Sequence, residues 1–332
     1  MRDYVGAILA AGRGKRMGTL GTQYPKTLLP VANEPLIVHH LRTFRGLGIN
    51  EVYIVIDNKD EQIANTLGDG SQYGVRIIYI EQESHLGSAH ALEQLAPFLN
   101  SSFVLLLGDY YFSAPDLVRM LERAKLSECS IMAAKREPNR RALCEACVLE
   151  VNEEGSIFRI VEKPRVPASN LKGCGIYVFR PEIFDAIRRT PRTALRDEYE
   201  LTTSIELYIQ AGYTIYAEEV IDWDMNFTCP DDVLQCNLIW LEYQGLTELI
   251  GENVYLADGT RLQQAIIGDN VIAEEPSMLR NVVVFQGVRI KGGGQVEQSL
   301  VTPNGLIQCI NEHNTLHSQI SSRLKRKEVI TE

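Results

Sequence analysis

Through the first 245 residues, short, largely apolar runs alternate with stretches in which apolar residues recur every three or four positions. Residues 4–9, 52–56, 75–80, 103–107 and 131–134 are apolar runs of strand length. Between them, 36–47, 88–95 and 114–125 carry helical spacing, the first ending at Gly48. Strands without polar alternation are buried on both faces, so the pattern predicts an α/β fold with a doubly wound mixed sheet. From 147 to 179 the pattern shifts to strands and turns, as an insertion carrying part of a ligand pocket would. Helical spacing returns at 181–189, 201–211 and 231–243.

Beyond residue 245 the pattern changes again. Ile250-Gly-Glu-Asn-Val254 recurs as Ile267-Gly-Asp-Asn-Val271, and Ile250, Leu256 and Leu262 are spaced by six. Apolar residues at that interval predict hexapeptide-repeat coils in which each stacks inward at a corner, against the alternative of an irregular β-rich tail. The expected organisation is a catalytic-type domain over 1–245, a short left-handed β-helix-like domain over 246–312 and a polar tail over 313–332. About two domains also suit a chain of 332 residues.

Composition narrows the partners. Lys and Arg number 33 against 43 Asp and Glu, a formal charge of −10. An acidic surface repels phosphate backbones and anionic lipid, so neither nucleic acid nor membrane is an expected partner, whereas a small anion in a local basic pocket remains compatible. No apolar run reaches 18 residues, residues 1–11 read as a strand rather than a leader, and seven scattered cysteines suit a reducing compartment. A cytoplasmic location is the expectation. Cys144 and Cys147 form an isolated C-x-x-C without a second pair, which reads as two partly buried thiols rather than a zinc site. His39, His40 and His85 have no carboxylate at pairing distance in sequence, so no histidine is assigned to catalysis.

The chemistry concentrates in 9–17, Leu-Ala-Ala-Gly-Arg-Gly-Lys-Arg-Met, followed by Tyr24-Pro-Lys-Thr-Leu-Leu-Pro30. A strand running into Gly12 and Gly14 presents backbone N–H groups to an anion, with Lys15, Arg16 and Lys26 adding positive charge. Met17 occupies the third glycine position of a dinucleotide fingerprint, and no Gly-Lys-Ser/Thr follows, which leaves a polyphosphate cradle of another kind.

These stretches resemble the signature of the sugar-1-phosphate nucleotidylyltransferases, L-A-[AG]-G-x-G-x-R-[LM] with a later K-x-L-x-P. Further segments over roughly 240 residues carry the likeness: 68–74, Gln82 with 86–89, Leu107-Gly-Asp109, Glu162-Lys-Pro164 and Gly175-Ile-Tyr177. The chain is most similar to glucose-1-phosphate thymidylyl- and uridylyltransferases, including long forms with a β-helix tail. The resemblance implies that a sugar 1-phosphate attacks the α-phosphorus of a nucleoside triphosphate and pyrophosphate leaves. Such a step needs two anions held in line with their charge neutralised.

By the same resemblance, Ala10, Ala11, Gly12 and Gly14 hold the triphosphate, with Arg16 and Lys26 on its leaving-group side. Gln82, Gly87 and Ser88 read the base, and a Gln rather than an acid there favours dTTP or UTP. Lys163 holds the sugar phosphate, while Tyr110, Cys147, Glu162, Gly175 and Glu198 line the acceptor pocket. Asp109 ligates Mg2+, and a homo-oligomer is implied.

The likeness departs at three places. Counting back from Pro230 and Asp232 puts Asn226 where a second metal carboxylate is expected, with Asp224 two residues earlier as the alternative. Tyr110 stands where Asn is common, and Cys147 where Gly is common; both add bulk beside the acceptor. A cytidylyltransferase acting on a non-sugar phosphate or phosphonate, and a non-catalytic regulatory homologue, are the rival readings.

Overall fold

A computed structural model describes residues 4–12, 14–58, 61–194 and 197–310, so the polar tail expected at 313–332 lies outside the described residues. The chain groups into two units, one from Met1–Arg13 and Ile37–Asp224, the other from Gly14–Leu36 and Met225–Glu332. The change of sequence pattern at residue 245 therefore does not mark the grouping of contacts, because 14–36 and 225–245 go with the C-terminal strands.

The first unit is built on a mixed sheet. From one edge its strands run Ile157–Glu162, Cys147–Val151, Leu171–Phe179, Phe103–Leu107, Val5–Leu9, Glu51–Asp57 and Arg76–Gln82; Ser130–Arg136 also pairs with Leu171–Phe179 and carries Ile215–Glu219. The four strands from Phe103–Leu107 to Arg76–Gln82 are mutually parallel, and Leu171–Phe179 runs antiparallel to its neighbours. Ala7, Ile8, Val55, Leu105 and Ile54 are fully buried, as strands without alternation require. The first strand also carries Gly6, where an added Cβ would come 3.0 Å from the Phe44 ring of helix Leu36–Gly46. That helix therefore lies close on the sheet. The helix expected at 114–125 begins later, at Val118–Ser127. Ala114 precedes Pro115, whose ring disfavours the helical region for the residue before it.

The second unit contains helix Pro230–Tyr243 and a stack of short parallel strands. Glu248–Ile250, Arg261–Ile267, Ser277–Val284 and Gly294–Thr302 form one sheet, closed by the antiparallel strand Gly305–Gln308, and Tyr255–Leu256, Ile272–Ala273 and Arg289–Ile290 form a second. Paired positions are 17 residues apart, as Asn253 and Asn270 illustrate. This offset explains the repeated Ile-Gly-acid-Asn-Val. At Gly268 a Cβ would come 2.5 Å from the Gln286 backbone, and Asn253 and Asn270 take left-handed φ values of 55° and 58°. The spacing of six does not mark the inward residues. Ile250 is 46% exposed on the first strand of the stack, while Ala265, Ile266, Ile267, Val282, Val283 and Val284 form the interior.

Candidate active site

In the first unit, Val5–Leu9 sits between Glu51–Asp57 and Phe103–Leu107, so strand order reverses on either side of it. Ligands of open α/β sheets bind beyond the carboxyl ends of strands at such a point. The Ala10 N–H donates to Val55 O at 2.8 Å and the Gly108 N–H to Leu9 O at 3.0 Å, which ties three strand ends together. Ala10 and Ala11 are buried. Gly12 is exposed, and a Cβ built on it meets nothing within 4 Å among the described residues. Asp109, half-buried, follows Phe103–Leu107 at the adjoining strand end.

Gln82, only 2% exposed, ends the strand Arg76–Gln82, and its amide nitrogen lies 2.7 Å from Nδ1 of His90. The segment 86–89 is zipped to Tyr199: the Tyr199 N–H donates to Leu86 O at 2.7 Å and the Ala89 N–H to Tyr199 O at 2.9 Å. A Cβ on Gly87, whose φ is +111°, would fall 2.5 Å from Tyr199 O. Glycine is needed there for backbone approach. Ser88 Oγ accepts the Leu201 N–H at 3.0 Å and so caps helix Leu201–Gln210. Glu198, half-buried, accepts the Thr193 N–H through its backbone at 2.9 Å. His85 lies 2.9 Å from Asp57, a carboxylate partner 28 positions away that sequence spacing could not reveal.

Cys147 lies in register between Glu162 on one neighbouring strand and Gly173 on the other. A Cβ on Gly175 would meet the Leu107 side chain at 3.1 Å, which seats that glycine against the strand leading to Asp109. Lys163 takes a left-handed φ of 46°, its N–H donating to Ala146 O at 3.0 Å and its Nζ lying 3.7 Å from Glu145. A lysine held in that conformation costs energy that its surroundings must supply, as is common at ligand sites.

Beside these residues lies a buried charge cluster. The Asp224 side chain is 0% exposed; Lys135 Nζ lies 2.5 Å from its Oδ1, and Lys172 Nζ and the Tyr110 hydroxyl both donate to its Oδ2. Lys135 also lies 3.3 Å from Glu137, itself buried. Two cations thus face two anions, and the formal charges cancel. Burial would push the Asp224 carboxyl up, but Lys135 and Lys172 override it and hold it well below the usual carboxylate range. Burial likewise opposes the Lys135 ammonium, and Asp224 holds it above its ordinary value. Burial, reinforced by Asp224, keeps Tyr110 a phenol and pushes the Cys174 thiol up to about 12. His40, pushed down to about 4 chiefly by burial, is neutral and donates from Nε2 to Tyr110 O at 2.8 Å.

The second unit holds the remaining expected residues. Gly14 is left-handed at φ 57°, and a Cβ there would come 3.1 Å from the Lys26 stem, so this glycine lets the lysine lie across it. Arg16 is exposed on the turn Lys15–Met17. Asn226 is exposed at the end of Trp223–Asn226. Just beyond it, the Asp232 carboxylate accepts the Thr228 and Cys229 N–H groups at 2.7 and 2.8 Å, and Pro230 opens the helix.

Among the described residues, no three His, Cys, Asp or Glu side chains gather as a ready metal set. Asp224 is committed to two lysines and does not suit a metal in this arrangement. Asp109 suits a hard cation that keeps waters and takes other oxygens from phosphate, a habit of Mg2+. Sequence reading missed Lys135, Lys172 and His90. Only the charged residues inside an otherwise apolar strand, Lys135 above all, could have signalled them. All seven cysteines are free thiols, including Cys144 and Cys147. No helix among the described residues is long and apolar enough to cross a membrane.

Comparison with known proteins places the chain in a family. The nucleotidyl transferase family model matches residues 5–240. The chain is 34% identical over 245 residues to the low-salt glycan biosynthesis nucleotidyltransferase Agl11 of Haloferax volcanii, covering 73% of this chain and 67% of that protein. It is 30% identical over 300 residues to a glucose-1-phosphate thymidylyltransferase of Streptomyces griseus, covering 89% and 80%. A solved UDP-glucose pyrophosphorylase complexed with UDP-glucose shares the fold with a TM-score of 0.63 at 23% identity, covering 73% of this chain and all of that one.

Proposed function

The chain belongs to the nucleotidyl transferase family, and on that premise we propose that it transfers a nucleotidyl group from dTTP or UTP to a sugar 1-phosphate, releasing pyrophosphate and forming an NDP-sugar. The observation that carries the reading is the glycine turn at the head of the strand where sheet order reverses.

Catalysis in this reading is positioning and charge neutralisation. The backbone of Ala10, Ala11, Gly12 and Gly14 receives the triphosphate, and Arg16 and Lys26 offset the charge that grows on departing pyrophosphate. Lys163 holds the acceptor phosphate, whose oxygen displaces pyrophosphate from the α-phosphorus. Glu162 and Glu198 accept acceptor hydroxyls. Gln82, Gly87 and Ser88 form the base end, with the Gln82 amide offering both a donor and an acceptor to a pyrimidine edge. Mg2+ would be held by Asp109 and Asn226 and would neutralise phosphate charge when bound. One carboxylate rather than two weakens that hold. Residues 246–312 are read as a short β-helix, on the support of the parallel strands 17 residues apart. Assembly into a homo-oligomer is its proposed role.

The test is a matrix of nucleoside triphosphates against sugar 1-phosphates, polyol phosphates and phosphonates, scored by pyrophosphate release. Turnover with dTTP or UTP and a sugar 1-phosphate is expected. Turnover confined to CTP with a non-sugar phosphate would replace the reading by a cytidylyltransferase. Binding of nucleotide with no turnover anywhere would make the chain a regulatory homologue, which the loss of a carboxylate at Asn226 favours.

A further inference from the structure

The segment that carries Lys26 is tied, within its own unit, to the C-terminal strands and their helix. Pro30–Val31 and Glu34–Pro35 form a minimal hairpin whose two turn residues, Ala32 and Asn33, have φ of 51° and 66°. Two consecutive positive φ values define the type I′ turn, and an alanine at the first is strained. Asn237, fully buried in helix Pro230–Tyr243, clamps that turn. Its Oδ1 accepts the Ala32 N–H, and its Nδ2 donates to Pro30 O and to Val233 O, all at 2.8 Å. The bond to Val233, one helical turn back, fixes the amide so that it cannot rotate away. Asn33 Nδ2 donates to Ile267 O at 2.8 Å, at the end of a coil strand. On the other side of Lys26, the Tyr24 ring meets Phe285 edge-on, with centroids 5.7 Å apart. Between these anchors, Lys26 opens the single turn Lys26–Leu28 and lays its stem over Gly14.

We propose that Asn237, Asn33 and Phe285 are positioning residues for Lys26, so that the C-terminal coils set how strongly the chain holds the pyrophosphate end of its nucleotide. The strained turn at Ala32 fits this purpose. A hairpin needed only to connect two strands would place Gly or Asn there, whereas a shape imposed from outside tolerates an alanine. The inference deepens the reading of Lys26 as a leaving-group cation and rests on it. It also gives residues 246–310 a task inside the reaction that does not depend on assembly.

The experiment uses the full chain with Asn33→Gly, Phe285→Leu and Lys26→Ala. Glycine adopts φ 66° without strain, so Asn33→Gly deletes the bond to Ile267 while sparing the turn. KM is measured forward for nucleoside triphosphate and sugar phosphate, and in reverse for pyrophosphate and NDP-sugar. Asn33→Gly and Phe285→Leu are each expected to raise KM for triphosphate and for pyrophosphate together, by about three- to tenfold, the scale of one lost hydrogen bond or ring contact. Sugar phosphate should stay within about twofold of wild type, a split that general loosening of the fold would not produce. If Lys26→Ala raises both values and the other two variants raise neither, or if all four substrates weaken alike, the positioning role is wrong. If Lys26→Ala itself leaves pyrophosphate unaffected, the assignment of Lys26 falls and the inference with it.

Discussion

The two units hold their functional residues by different physics. In the first, Asp224 is locked by Lys135, Lys172 and Tyr110 inside the protein, with every charge matched. In the second, the segment around Lys26 is held at Tyr24, Pro30, Ala32 and Asn33 by neutral amides and a ring contact. A buried ion cluster is costly to break but gains little net stability over an apolar core. Neutral clamps are weaker, and each rests on single hydrogen bonds or ring contacts. The contrast teaches that a buried ionic cluster fixes one unit's interior, whereas the other unit fixes a segment through uncharged contacts alone.

Breaking the cluster should have the largest effect. Asp224→Ala takes the carboxylate away from Lys172 and leaves buried Lys135 with Glu137 alone, and urea unfolding should show a loss of about 3–5 kcal/mol. Asp224 has a folded-state pKa below its unfolded value, so its contribution is present above the ordinary 3.8 and is lost as pH falls through the folded value. Lys135 shows the opposite sign: its contribution is complete below the ordinary 10.5 and is lost as pH rises through its folded value. The stability gap between wild type and Asp224→Ala should therefore narrow at acid pH; a gap that widened there would contradict the ion-pair assignment.

Asp109→Ala tests the half-buried carboxylate that follows the strand Phe103–Leu107. Turnover should fall by about a hundred- to a thousandfold, with the far-UV spectrum of the folded chain retained. Retained turnover would place the metal elsewhere. In the second unit, Asn237→Ala leaves the Ala32 N–H and Pro30 carbonyl without their partner, and a loss of about 1–3 kcal/mol is expected by the same unfolding measurement. A loss equal to that of Asp224→Ala would erase the contrast between the two units. Gly87→Ala forces a side chain toward the Tyr199 backbone at an unfavourable φ and should cost about 1–3 kcal/mol, with base selectivity in the pyrophosphate assay blurred.

Much of the first unit was legible before any coordinates. Its apolar strand runs 4–9, 52–56, 75–80 and 103–107 match observed strands to within a few residues, because burial on both faces leaves one composition that works. Gly14 was legible because its left-handed φ and the Lys26 stem packed on it answer a backbone need, whereas Gly12 takes no such φ. The partners of Asp224 were not, since Lys135 and Lys172 come from distant strands and only folding brings them within reach. The period of the C-terminal strands was half legible: Ile-Gly-acid-Asn-Val recurs after 17 residues in sequence, the offset at which the strands pair, but the six-residue spacing picked Ile250, which is exposed. The Asn237 clamp left no mark in the sequence pattern, because a buried amide inside an apolar helix has no periodic signature.

The most direct test of the division of labour is to compare Lys26→Ala with Lys163→Ala in steady-state kinetics, following pyrophosphate release while each substrate is varied in turn. Lys26→Ala should raise KM for the nucleoside triphosphate and leave the sugar phosphate alone, and Lys163→Ala should do the reverse. Equal shifts for both substrates in either variant would contradict it.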